Sequence, residues 1–298
     1  RAARQRAFGY FNHTQGRNTR ETPILREEVW DARQAPPSID WASGLALEDD
    51  AGGLCVIKES HKCVNQAGVD TGAFLLRDGA LFNTGCGPAP ADLVSPEFRW
   101  CWATWTVLWS GGGDHRELAI KQFDRARFPV DAKRDIYVMA NTWGSGAAKQ
   151  ESLEASREEN ILAQIESCRD LGIDVQQIDD GWQGDQYRTW RPVPPRYPAG
   201  WRRVRQAAHQ ARVQLGLWAA WVIGLDDLKD TWRQGGFRYY KIDFAKLETY
   251  QQVDALFTKM RRLIEYAGHS VRVNWDVTEN PARVGYYFAR DLGNIYLE

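Results

Sequence analysis

Excess charge is absent from this chain. Its 38 lysines and arginines stand against 39 aspartates and glutamates, for a net charge of −1 and a pI near 6.6. A nucleic-acid or anionic-membrane partner held by electrostatics needs a basic face, so neither is expected. Long apolar runs are missing too: none approaches the roughly 18–20 residues that span a bilayer. Histidine is scarce, and none of the five falls in an HxH or HExxH pattern. Transition-metal sites usually recruit imidazole, so no metal and no cofactor are expected, although an acid-only Mg²⁺ or Ca²⁺ site stays open. The five cysteines (Cys55, Cys63, Cys86, Cys101, Cys168) are odd in number and lack CxxC spacing. That favours free buried thiols over a disulfide framework. The chain opens RAARQRAFGY, with no initiator methionine and no signal-peptide pattern. The expectation is an internal piece of a longer protein, with the compartment left open.

Tryptophan is what the chain has in quantity: 14, beside two methionines. An indole offers a broad apolar face and one N–H donor, which suits packing against the C–H face of a sugar ring. Each one taken singly is better explained as core. Only the total points towards carbohydrate.

Residues 1–130 carry short β-like runs: GLALEDD, GGLCVIKES, GAFLLRDGALF, RWCWATWTVLWS and HRELAIKQF. Gly, Pro and Asp punctuate them, as in an antiparallel β-sandwich. The stretch 99–109 reads as a central strand and GGGDH (111–115) as a turn. Beyond it the pattern changes to strands alternating with amphipathic helices. The strands are DIYVMANTW, IDVQQID, QLGLWAAW, RYYKIDF, VRVNWDV and NIYLE. Ser156 and Glu159 have capping-box spacing before one helix, and Gly172 ends it. A fifth helix is expected to start at Pro281. Such alternation implies parallel βα units, either an open doubly wound sheet or a (β/α)8 TIM barrel. The first turn, NTWGSGAAKQ, lacks the GxGxxG spacing of a dinucleotide-binding sheet. A complete barrel takes about 250 residues. The expectation is therefore a β-sandwich domain over 1–130, then a (β/α)8 barrel over 133–298 that is truncated after about six strands.

Chemistry in such barrels sits at the C-terminal ends of the strands. Asp179, Asp180, Asp243, Asp276 and Glu298 fall at those ends, whereas Asp135 and Asp174 begin their strands and are given structural roles. In KID (241–243), residues two apart on a strand point the same way, so Lys241 and Asp243 share the interior. A nearby ammonium would keep a buried carboxylate ionised, as a nucleophile requires. A structural ion pair explains the same residues equally well. Asp179 and Asp180 are neighbours and would point to opposite faces of a regular strand; Gly181 frees the backbone to turn both towards the mouth. Two carboxylate oxygens match a vicinal pair of sugar hydroxyls, with a simple turn as the plainer alternative.

Taken together, NTW, LGIDVQQIDDGWQ, LGLW and YYKID resemble the α-galactosidase group of glycoside hydrolases, family 36, with its clan partners in families 27 and 31. The resemblance implies a retaining α-glycosidase in which Asp243 is the nucleophile. It further implies that Lys241, Asp179 and Asp180 hold sugar hydroxyls and that Trp143, Trp182 and Trp218 form aromatic walls. The proton donor of this group is an acid after the sixth strand. Either Glu298 takes that role or the donor lies beyond the chain end. Departures fall at Ile242, at GLWAAWVIG on strand three, and at Asn274-Trp275-Asp276 on strand five, where Asp276 is a further pocket acid. The substrate is expected to be an oligosaccharide or glycoside, with a homo-oligomer left open. A carbohydrate-binding protein without turnover and a raffinose-type transglycosidase are the alternatives.

Overall fold

A computed structural model describes residues 3–10, 25–59, 72–85, 87–93, 96, 99, 101, 103–146, 148–183, 187–245, 247–276 and 289–296. Glu298, Cys63, Cys86 and the helix expected at Pro281 lie outside them. The first half is antiparallel. Strands β1 (Arg4–Tyr10), β2 (Leu25–Asp31), β4 (Gly44–Glu48), β5 (Gly52–Lys58) and β8 (Thr104–Ser110) form one sheet in the order β2-β1-β4-β5-β8. A second, small sheet joins β3 (Ser38–Ile39), β6 (Phe74–Arg77) and β7 (Ala80–Asn83). The β6–β7 hairpin turns through Asp78 and Gly79, both at positive φ (51° and 73°), as a two-residue type I′ turn requires.

Three expectations for this half fail. The stretch read as a central strand supplies β8, which lies at the edge of its sheet. The run HRELAIKQF is helical, within α1 (Gly113–Arg127). Its Ala119, Ile120 and Phe123, on one helical face, pack against the buried cluster of Ala46, Cys55, Ile57 and Val107, with Phe123 5.4 Å from the Trp105 ring of β8, while Leu118 faces solvent. The expected turn at GGGDH is therefore the start of this helix, with Gly112 at its N-cap.

A short helix α2 (Ala132–Asp135) leads into six parallel strands: β9 (Met139–Asn141), β10 (Val175–Ile178), β11 (Gln214–Ala220), β12 (Tyr239–Asp243), β13 (Arg272–Asp276) and β14 (Gly293–Tyr296). They pair strictly in sequence order, a curled half-barrel. Between them run α3 (Lys149–Ala155), α4 (Glu158–Leu171), α5 (Arg202–Ala211), α6 (Leu225–Gly235) and α7 (Tyr250–Tyr266). The capping box expected at Ser156 is not formed: Arg157 is the N-cap of α4, and Ser156 Oγ donates to Leu153 O at the end of α3. Gly172 does close α4, at φ 72°. Thr249 and Gln252 exchange hydrogen bonds to start α7.

The parity of β12 is visible in its partners. Tyr240 and Ile242 point outward to the helices, Tyr240 Oη meeting Thr231 Oγ1 of α6 at 3.1 Å. Tyr239, Lys241 and Asp243 point inward. Trp275 of β13 likewise faces out and stacks on Phe257 of α7, 5.0 Å between centroids. Being covered on both faces, β12 is buried at every position, as parallel strands usually are. The main core is the layer between strands and helices, from Ile161 and Ile165 of α4 round to Leu256 and Leu263 of α7. Each such side chain, fully buried, is worth about 1.5–3 kcal/mol. Among the described residues no helix is long and apolar enough to cross a membrane. Asp135 and Asp174 have structural partners: Asp135 binds Arg134 and Arg272, and Asp174 Oδ2 accepts the Val138 N–H.

Candidate active site

Strand register brings the acids to one level. Trp218 of β11 lies beside Lys241 of β12, and Ala220 beside Asp243; Lys241 in turn lies beside Asn274 of β13. Asp179 follows β10 by one residue, and Asp276 ends β13. The inward positions thus place Asp179, Trp218, Asp243 and Asp276 around the C-terminal end of the half-barrel.

Lys241 is its electrostatic centre. Only 1 % exposed, it puts Nζ 3.1 Å from Asp179 Oδ2 and 3.4 Å from Asp276 Oδ2, the latter an ion pair without hydrogen-bond alignment. Asp179 is almost completely buried, and that burial pushes its carboxyl above the usual range. Lys241, the Asp180 N–H and Asn141 pull in the opposite direction. Lys241 thus sits between two buried carboxylates, those of Asp179 and Asp276.

Asp243 has both oxygens engaged. Trp218 Nε1 donates to Oδ2 at 3.0 Å and the Phe244 N–H to Oδ1 at 2.5 Å. The carbonyl of Asp243 accepts the Trp221 N–H at 2.9 Å. Phe244 holds this geometry at φ 57°, a left-handed conformation costing an aromatic residue about 1–3 kcal/mol. Lys259 of α7 secures the adjoining loop by donating to the carbonyls of Trp221 and Ile223. Burial lowers its own pKa to about 8.

Asp180 is not an open clamp. Gln183 Nε2 donates to its Oδ1 at 2.5 Å and Tyr187 Oη to its Oδ2 at 2.9 Å, while its N–H binds Asp179 Oδ1. Gly181 makes this bend feasible. It sits at φ 109°, and a Cβ there would lie 2.7 Å from both Leu153 O and Ser156 Oγ.

The three expected aromatic walls separate. Trp143 is half-buried in the turn after β9, next to Thr142, whose Oγ1 accepts the Asp179 N–H at 2.9 Å. Trp218 stands in the acid cluster. Trp182 does not face the mouth: it is fully buried, gives its N–H to Trp218 O, and packs between Trp190 and Trp201. Its apolar surroundings draw it into the core. In its place come Tyr187 and Phe244, with ring centroids 5.5 and 5.8 Å from Trp218. Nothing in the local sequence marked Tyr187; its role depends on the fold returning residue 187 over β11. Burial, with Asp180 and Asp243 nearby, raises its phenol pKa and keeps it a neutral donor. Among the described residues no group of three or more potential ligands is arranged to hold a metal ion. Cys55 and Cys168 are buried free thiols, and Cys101 is exposed.

No family model matches the sequence, and no curated protein does. Solved structures do match the fold. The α-galactosidase from Lactobacillus brevis superposes with a TM-score of 0.61 at 16% identity, covering 98% of this chain and 48% of that one. The family 36 enzyme AgaA from Geobacillus stearothermophilus gives 0.60 at 12%, covering 92% and 47%. This chain has the α-galactosidase fold of glycoside hydrolase family 36. It spans about half the length of those structures. The α-galactosidase TtGalA from Thermus thermophilus, seen with p-nitrophenyl α-D-galactopyranoside, aligns at 0.53 and 18%, covering 90% and 62%. Variants of AgaA have been seen with raffinose and with stachyose. In this fold as the chain builds it, the acids sit just after β10 and at the ends of β12 and β13.

Proposed function

We propose that this chain carries the glycone site of a retaining α-glycosidase acting on α-galactosides, with Asp243 as nucleophile. The supporting observation is the Asp243 carboxylate at the C-terminal end of the half-barrel, held at both oxygens by the Trp218 indole N–H and the Phe244 N–H. A carboxylate so oriented can attack an anomeric carbon without reorganising. Lys241, with Asp179 and Asp276, would bind sugar hydroxyls, and Asp180 would act with Gln183 and Tyr187 as a positioned acceptor. Trp143, Trp218, Tyr187 and Phe244 would supply apolar surface. Glu298, two residues past β14, is the candidate proton donor on this chain. Retention requires the two carboxyl groups about 5–5.5 Å apart. In this reading residues 1–130 form the β-sandwich domain and 133–298 the main part of a (β/α)8 barrel. The low identities leave the substrate to be read from the site itself.

The test is a 2-deoxy-2-fluoro α-galactosyl fluoride, followed by peptide mass mapping. A stoichiometric adduct on Asp243, lost in Asp243→Asn, is expected. An adduct on another residue would reassign the nucleophile. No adduct and no turnover of an aryl α-galactoside, with sugar binding intact, would instead support a binding protein.

A further inference from the structure

The N-terminal end of the half-barrel, opposite the acid cluster, carries a cleft of about 660 Å³. Gln214 opens β11 at that end, while Ala220 closes the same strand beside Asp243. At about 3.3 Å per residue, roughly 20 Å of strand lies between the two ends. The volume is in the range of small-ligand sites. The cleft is lined by Arg205, His209, Arg212, Arg233 and Arg238, and among the described residues no carboxylate lines it. Arg205, His209 and Arg212 are spaced four and three apart along α5 to its C-cap, so they share one helical face. The sequence around them is one-sided. Residues 186–225 hold seven arginines and no aspartate or glutamate, in a chain whose net charge is only −1.

Ion pairing sets the cleft apart from the rest of that run. Arg196 and Arg203 are neutralised by Glu154 of α3 and Glu158 of α4, and in the cleft Arg233 by Asp230. Arg205, Arg212 and Arg238 have no carboxylate partner among the described residues. Arg205 Nη1 donates to the carbonyls of Arg233 and Gln234 at 3.1 and 3.4 Å. It thereby covers the C-terminus of α6, whose dipole would otherwise repel an anion. Arg238 Nη1 donates to Ser270 O at 3.4 Å, and the Arg212 side chain makes no hydrogen bond. A guanidinium has five N–H donors in a fork that fits phosphate bidentately, so all three keep most of their capacity. Three uncompensated charges exceed what one phosphoryl group, at about −1.5 to −2, neutralises, and they suit two.

We propose that this cleft binds a small metabolite bearing two phosphoryl groups, held by Arg205, Arg212 and Arg238. None of these residues belongs to the acid cluster, so the proposal stands or falls independently of the glycosidase reading. The experiment is calorimetric titration of the full chain with inorganic pyrophosphate and, separately, with fructose 1,6-bisphosphate, at about 0.15 M ionic strength. Saturable binding of at least one is expected, and the tighter of the two tells a diphosphate from two separated phosphoryl groups. Arg212→Gln, whose native side chain has no partner to lose, should weaken that binding about tenfold. Arg212→Gln combined with Arg238→Gln should weaken it about a hundredfold, with thermal melts confirming that both variants fold. Arg169→Gln removes the same charge from an exposed position on α4 and should leave the affinity unchanged. Failure of both probes to bind, native affinity in the double variant, or an equal loss in Arg169→Gln overturns the proposal. Tighter binding to phosphatidylserine vesicles than to either probe also overturns it, and would make this face a membrane contact.

Discussion

Trp218 and Asp243 come from adjacent parallel strands and are joined by an indole N–H to carboxylate hydrogen bond of 3.0 Å. The same tryptophan receives the N–H of Trp182 on its carbonyl, so one residue connects the buried aromatic core to the acid cluster. Holding Asp243 is then a function of core packing as well as of the strand that bears it.

Trp218→Phe keeps a ring and removes that donor. A hydrogen bond to a charged group is worth about 1.5–3 kcal/mol. On an aryl α-galactoside, kcat/KM should fall about tenfold to hundredfold, with circular dichroism unchanged. Wild-type turnover would show that Trp218 does not position Asp243.

Lys241→Met leaves Asp179 and Asp276 buried without their ammonium. Removing one partner of a buried ion pair costs about 3–5 kcal/mol. Asp179 already has its pKa raised by burial, so its contribution to stability is full below about pH 4 and is lost as pH rises through the folded value. Without Lys241 that folded value rises further. Urea denaturation should therefore show a deficit that widens from pH 4.5 to pH 7.5, and a deficit independent of pH would contradict this account.

Gly181→Ala combines strain at φ 109° with a clash at 2.7 Å against the Leu153 carbonyl. A loss of about 2–4 kcal/mol is expected. Asp179 and Asp180 flank this bend, so binding of an α-galactoside should weaken as well. Native stability in this variant would mean the bend can be reached another way.

Asp135 is held low, at about 2, chiefly by the Arg134 guanidinium, with Arg272 adding to it. A depressed carboxyl contributes stability above its ordinary value near 3.8 that disappears as pH falls towards 2. Asp135→Asn should thus flatten the acid limb of the stability curve between about pH 4 and 2. An acid limb parallel to that of the native chain would assign the acid sensitivity elsewhere.

The legible part of this molecule is its second half. IDVQQID, RYYKID and VRVNWD each end near an acid that lies in the cluster, because βα alternation announces itself through period and composition. The run around Leu118 was harder. Leu118 and Ile120 mimic strand alternation over so short a stretch, and only packing of Ala119, Ile120 and Phe123 against β8 shows the helical spacing. Tyr187 left no trace either, since nothing local tells which aromatic of a long loop will fold back over Trp218.

By itself the sequence determined which β12 side chains share a face: Lys241 and Asp243 are two residues apart, and strand geometry leaves no other choice. Tertiary structure alone decided their partners. Lys241 has Asp179 and Asp276, Asp243 has Trp218 and the Phe244 N–H, Asp180 is occupied by Gln183 and Tyr187, and Trp182 belongs to the core. Side-chain direction is a local property of the backbone. Which groups meet across strands depends on register, and register is set by how the whole sheet packs against its helices.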